Sequence, residues 1–166
     1  MISKTLKRVT LELGGNDPAI VCADVDPVAA APKLATSALL NSGQICVAIK
    51  RMYIHESVYD AVLKAMVDYV NTLKVGDGFE ENVFLGPIAN GPQFERVKNL
   101  LEDIQKTNLK VAVGSTAPHT GSGKGYFITP TIVDNPPEDS RIVQEEPFGK
   151  LPSSDMRASL LRSSLC

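Results

Sequence analysis

The sequence has 166 residues, enough for one domain with a sizeable core, and at 43% hydrophobic and 22% charged it has the composition of an ordinary soluble protein. A net charge of −2 gives no electrostatic case for nucleic acid or an anionic membrane, and no apolar run is long enough to span a bilayer. Met1 to Thr5 lacks the apolar core of a signal peptide. The three cysteines Cys22, Cys46 and Cys166 form neither a disulfide framework nor a CxxC metal site, so a reducing, cytoplasmic setting without a metal is expected.

Arg8 to Leu13 alternates, with Val9, Leu11 and Leu13 on one face and Thr10 and Glu12 on the other, which predicts a strand ending at the turn Gly14-Gly15-Asn16-Asp17-Pro18. Ala19 to Ala23 runs apolar without alternation, as a strand buried on both faces does. Asp26-Pro27 is a helix start, and the helix should reach about Asn41, with Pro32 delaying or kinking its beginning and Gly43 ending it. Arg51 to His55 predicts a short strand. Ser57 with Asp60 suggests a capping box for a helix whose stripe is Val58, Val62, Met66, Tyr69, Val70 and Leu73.

Gly76 to Gly91 is an extended loop. Asn90 and Gln93 open another helix, with Phe94, Val97, Leu101 and Ile104 on its apolar side and Lys106-Thr107-Asn108 closing it. A strand at Lys110 to Gly114, a polar loop at Ser115 to Gly125 and an extended stretch at Tyr126 to Val133 follow, broken by Asp134-Asn135-Pro136-Pro137. Lys150 to Cys166 is rich in Ser and Leu, with no clear element after Ser154. Strands and helices interleave, which predicts an α/β fold with a mainly parallel sheet and flanking helices.

Two residue types in this pattern carry chemistry. Glu12 ends an otherwise apolar strand just before a Gly-Gly turn. Sites gather at the carboxyl ends of strands in open α/β sheets, and a carboxyl in a partly apolar pocket there has a raised pKa and serves as a general base. Cys46 follows Asn41-Ser42-Gly43-Gln44-Ile45, 34 residues after Glu12, a gap that a turn, a strand and a helix fill. Lys50 and Arg51 follow closely and favour a thiolate if they point its way. From the residues alone, Cys46 better fits a small buried hydrophobe, and Glu12 a strand residue with its charge in solvent. A Cys-His protease is disfavoured: His55 ends a strand and His119 lies in a polar loop.

Read together, several stretches resemble the aldehyde dehydrogenase superfamily. Val9 to Gly15 is similar to its glutamate motif and Asn41 to Cys46 to its cysteine motif. Val75-Gly76-Asp77-Gly78, Leu85-Gly86-Pro87-Ile88 and Gly125 to Thr131 resemble later landmarks, and Glu145-Glu146-Pro147-Phe148-Gly149 resembles its cofactor-contacting motif. The resemblance implies that the Cys46 thiolate attacks a small-molecule aldehyde to form a thiohemiacetal. It implies that hydride passes to NAD or NADP to leave a thioester, and that Glu12 activates the water that releases a carboxylic acid. It also implies that the Cys46 N–H helps hold the oxyanion, that Glu146 binds the nicotinamide ribose, that Phe148 packs near the nicotinamide, and that Gly14 and Gly15 let the chain pass that ring.

The departures set further expectations. Only eleven residues precede Glu12, so the family's catalytic asparagine, adenosine-ribose lysine and glycine-rich turn have no counterpart, and most of the cofactor domain is expected to be absent. Residues 1–149 are therefore expected to be a partial, truncated catalytic domain, and 150–166 a tail outside the family pattern. Family members are homo-oligomers, and the oligomerisation segment is expected to be missing. The alternative to dehydrogenase function is a catalytically silent fragment or binding module with at most Cys46-dependent esterase activity.

Overall fold

The computed structural model describes residues 7–117 and 125–156. The carboxylate of Asp26 accepts the backbone N–H groups of Val28 and Ala29 at 2.9 and 3.3 Å, and with Pro27 at the first helical position this starts helix α1, Pro27–Leu39. Pro32 is carried inside the helix and does not delay it. The buried face of α1 is Ala31, Ala35, Ala38 and Leu39, three of them small enough to seat the helix close to its neighbours.

Helix α2, Tyr59–Val70, buries Val62, Met66 and Val70, the stripe expected from the sequence. Its start differs. The predicted Ser57–Asp60 box does not form; instead His55 Nδ1 accepts the Ser57 N–H at 3.2 Å and caps a short 3-10 turn, Glu56–Val58. Helix α3, Gly91–Lys106, opens on Asn90, whose side chain accepts the Gln93 N–H at 2.9 Å, and it buries Val97, Leu100, Leu101 and Ile104.

Strands β1 (Asp17–Val21) and β2 (Ile49–Ile54) are parallel neighbours. A minor parallel pair, β3 (Lys74–Val75) with β4 (Val83–Leu85), lies within the expected loop region. Strands β5 (Val111–Val113) and β6 (Ile132–Asp134) are antiparallel, and a single-turn helix, α4 (Arg141–Gln144), follows them. Strand β7 (Ser153–Met156) lies parallel between β2 and β6, so the main sheet has the order β1-β2-β7-β6-β5. The mainly parallel α/β architecture is the one expected.

Successive residues of a strand point to opposite faces, and β6 uses both: Ile132 enters the core under α1 and α2, and Val133 the core under α3. Met52 and Ile54 fill the first core from β2, each contributing about 1.5–3 kcal/mol by burial. Lys50, on the same face of the same strand, is also buried.

Three further expectations fail. Strand β1 is not buried on both faces: among the described residues it is an edge of the sheet, and Ile20 is 51% exposed. Arg8 to Leu13 forms no strand: Val9, Leu11 and Leu13 are 47%, 67% and 88% exposed. Alternation marks a face, but a strand also needs a ladder partner, and among the described residues β1 pairs only with β2. The stretch after Lys150 does form an element, β7, at the middle of the sheet. The loop expected at Ser115 to Gly125, with His119, lies largely outside the described residues, as do Met1 to Leu6 and the tail beyond Met156 with Cys166. Among the described residues no helix is long and apolar enough to cross a membrane.

Lys150 is buried where the chain enters β7. Its ammonium donates to Gly86 O at 2.7 Å and Ile128 O at 3.1 Å, and burial pushes its pKa down to about 8 from 10.5. The unfolded chain therefore binds more protons at this side chain than the folded one between those two values, so stability rises with pH across that window. In urea titrations the native protein should gain stability relative to Lys150→Met between pH 8 and 10.5, by roughly 3 kcal/mol at most, with a flat difference below pH 7. A difference that ignores pH would contradict the burial argument.

Candidate active site

Helix α1 gives way to a 3-10 turn, Leu40–Gly43, in which Asn41, Ser42 and Gly43 have φ of 51°, 60° and 74°. Two non-glycine residues in the left-handed region cost about 1–2 kcal/mol each, so the surroundings must hold them. They do. The amide of Asn41 donates to Gln44 O, the Gln44 amide donates back to Asn41 O, and Gln44 Oε1 accepts the Ala89 N–H at 2.8 Å. Ser42 Oγ donates to Gly86 O at 3.0 Å. The chain then turns from Ile45 to Ala48, closed by Ala48 N–H to Ile45 O at 3.1 Å, and Cys46 sits on that turn as an exposed, free thiol.

Two other segments close on this turn. Residue 43 must be glycine: a Cβ there would stand 2.1 Å from Gly149 O, besides the positive φ. A Cβ on Gly15 would stand 2.4 Å from Cys46 O, and one on Gly14 would stand 2.6 Å from Glu146 Oε2. The thiol turn thus meets the 146–149 segment at Gly43 and the Gly14-Gly15 turn at Gly15 through backbone that admits no side chain, and Gly14 lies against the Glu146 carboxylate.

The 145–149 segment is itself clamped. Gln93 Nε2 donates to Pro147 O and Phe148 O, both at 3.0 Å, and Arg96 donates to Glu146 O at 3.1 Å. Arg141 pairs bidentately with Glu145, at 2.7 and 3.2 Å, and holds its carboxyl below the usual range. Phe148 has φ 44°, and its ring centroid lies 6.0 Å from Lys50 Nζ. Within the described residues Glu146 Oε1 and Asn16 Oδ1 are buried without a hydrogen-bond partner.

Lys50 and Arg51 separate in role. The buried Lys50 ammonium donates to Gly43 O at 2.9 Å and Ile45 O at 3.1 Å. Desolvation lowers its pKa, while Glu146, Asp17 and Cys46 favour the charged form. Arg51 turns away, to Asn16 O at 2.9 Å and Tyr53 OH at 3.0 Å. Asn16 donates in turn to Val143 O at 2.8 Å, which ties the Gly14-Gly15 turn to α4.

Of the residues expected from the sequence, Cys46, Gly14, Gly15, Glu146 and Phe148 are brought together. Glu12 is not: it is exposed on the unpaired 8–13 stretch rather than set in a partly apolar pocket. The cluster also lies at the amino ends of β1, β2 and β7, since Gly15, Cys46 and Gly149 all precede their strands, and not at the carboxyl ends. His55 follows β2 whereas Cys46 precedes it, so a strand of roughly 20 Å separates them and a Cys46–His55 pair is excluded. Among the described residues no cluster of His, Cys, Asp or Glu could hold a metal.

The family model described as the aldehyde dehydrogenase family matches residues 1–153. This chain belongs to that family. A probable aldehyde dehydrogenase of Pseudomonas sp is 43% identical over 147 residues, covering 88% of this chain and 29% of the relative. Human retinaldehyde dehydrogenase 3 is 38% identical over 144 residues, covering 87% and 28%. The NAD+ complex of aldehyde dehydrogenase from Bacillus cereus superposes with a TM-score of 0.86 at 34% identity, covering 96% of this chain and 32% of that one. The chain thus spans about three tenths of the length of the curated relatives it matches.

The clamping roles of Gln93, Arg96 and Ser42 have no signal in the sequence. Only the Arg141–Glu145 pair carries a local signal, its helical i,i+4 spacing. The glycine contact gives a direct test. Gly43→Ala should lose about 2–4 kcal/mol in urea unfolding and slow Cys46 alkylation. Gly78→Ala, at a glycine with open space around it, should change neither. Equal effects at the two positions would contradict the close-approach argument.

Proposed function

We propose that this chain carries the chemical centre of an aldehyde-oxidising dehydrogenase, with Cys46 as nucleophile, a small-molecule aldehyde as substrate and NAD or NADP as cofactor. The observation that carries this reading is the free, exposed Cys46 thiol on a turn locked between the Gly14-Gly15 turn and the 146–149 segment. The Cys46 sulfur bonds to the aldehyde carbon, the carbonyl electron pair moves to oxygen, and the Cys46 N–H holds the resulting oxyanion. A bound nicotinamide supplies a hydride acceptor, so that the carbon is left as a thioester on Cys46. Glu12 takes a proton from water, hydroxide adds to the thioester, the carbon–sulfur bond breaks, and acid and thiolate are released.

The residues present fit the nicotinamide half of such a cofactor. Glu146 keeps one buried carboxylate oxygen without a partner, as a ribose hydroxyl donor requires, and Gly14-Gly15 offers backbone without side chains beside it. Phe148, held in an uncommon backbone conformation by Gln93, would flank the ring. Glu12 stands two residues from Gly14, within about 7 Å of chain, on a stretch that no ladder restrains. A cytoplasmic setting suits the exposed thiol.

A second reading is a binding module with at most Cys46-dependent ester hydrolysis. It is favoured by the exposed apolar side chains of Val9, Leu11 and Leu13, a patch suited to association. One paired assay separates the readings: hydrolysis of an activated aryl ester, and NAD or NADP reduction with a small aldehyde, each with and without Cys46→Ala. Cofactor reduction lost in Cys46→Ala is expected for the dehydrogenase. Ester turnover lost by about 100-fold or more, with no cofactor reduction, selects the second reading. Activities that survive Cys46→Ala would sink both.

A further inference from the structure

Lys50 is the anomaly of strand β2. Its neighbours on the same face, Met52 and Ile54, are core residues, yet position 50 carries an ammonium that is equally buried. Taking an ammonium out of water costs several kcal/mol unless its protons are used. Two of its three protons are used, on Gly43 O at 2.9 Å and Ile45 O at 3.1 Å, the carbonyls on either side of Gln44 and just ahead of Cys46.

The second of these bonds has a stereochemical consequence. The Ile45–Cys46 peptide is trans, since the described residues contain no cis bonds, so its C=O and N–H point in opposite directions. With Ile45 O drawn towards the buried ammonium, the Cys46 N–H must point the other way, to the exposed side where the thiol lies. No acceptor for that N–H is found among the described residues. The first bond fixes the preceding peptide through Gly43 O, the residue wedged against Gly149. Desolvation lowers the pKa of Lys50, against which Glu146, Asp17 and Cys46 favour its charged form.

We propose that Lys50 is a positioning residue: by clamping the carbonyls of Gly43 and Ile45 it turns the Cys46 N–H outward as the oxyanion donor. The proposal rests on the reading of Cys46 as the nucleophile. It assigns Lys50 a role in reactions that pass through a tetrahedral oxyanion, and none in reactions of the thiol that do not.

The test compares two reactions of one thiol in the full chain. Cys46-dependent hydrolysis of an activated aryl ester forms an oxyanion. Alkylation of Cys46 by iodoacetamide, followed on its peptide by mass spectrometry, is a direct displacement and forms none. In Lys50→Met, kcat/KM for the ester should fall by about 10- to 100-fold, while the alkylation rate stays within about threefold. Lys50→Gln, whose amide can still donate to one carbonyl, should lie between. If Lys50→Met does not fold, as judged by circular dichroism, the same comparison is made on Lys50→Gln. Equal losses in both reactions would mean that Lys50 acts through the charge or the general integrity of the turn, and would overturn the proposal, as would no loss in either. Ester turnover that survives Cys46→Ala would instead overturn the nucleophile reading, so the two failures are distinct.

Discussion

The carbonyl oxygen of Gly149 occupies the space where a side chain on residue 43 would begin. That contact decides much of what surrounds it. It sets how closely the turn that presents Cys46 approaches the segment that carries Glu146 and Phe148, and it directly follows the left-handed run at Asn41 and Ser42 that leads the chain towards β2. The polar side chains of Asn41, Ser42, Gln44 and Lys50 then satisfy backbone groups that the irregular turn leaves without helical or ladder partners. An arrangement of this kind is rigid because it is crowded, and a nucleophile benefits from rigidity when the reacting atoms must meet within a few tenths of an ångström.

Buried lysines bracket the site in two ways. Lys50 lies among carboxylates and under the thiol turn, so its cost of burial is offset by Glu146 and Asp17. Lys150 has no such company, and only two carbonyls meet it. Both lysines nevertheless do the same local work, satisfying carbonyls of chain that runs in neither helix nor sheet. Gly86 O is the point where the two networks come nearest, since it accepts from both Ser42 and Lys150.

Much of the fold was legible because it rests on local pattern. The stripe of α2, the Asp26-Pro27 start of α1 and the Asn90 cap of α3 are properties of a few neighbouring residues, and the structure repeats them. Arg8 to Leu13 misled for the complementary reason: its alternation is local, but a strand is a relation between two segments. Strand β7 was missed because Ser-Ser-Asp-Met has no strand pattern, and its place comes from β2 and β6 on either side. The same division holds at the site. Cys46, Gly14, Gly15, Glu146 and Phe148 were legible as motifs, whereas Gln93 and Arg96 reach the 146–148 carbonyls from 50 to 55 residues away and leave no local trace. The location at the amino ends of the strands also follows from connectivity, not from any residue type.

The place of β7 bears on how the molecule is made. Strands β1 and β2 pair early in the chain, and β5 and β6 pair later, but the two halves meet only through β7, the last of the described strands to leave the ribosome. Until then β2 and β6 each present an open edge of unpaired amides and carbonyls, the condition under which chains pair with the wrong partner. Between the synthesis of β6 and that of β7 a nascent chain of this sequence therefore holds two separate half-sheets, and β7 is the keystone that joins them.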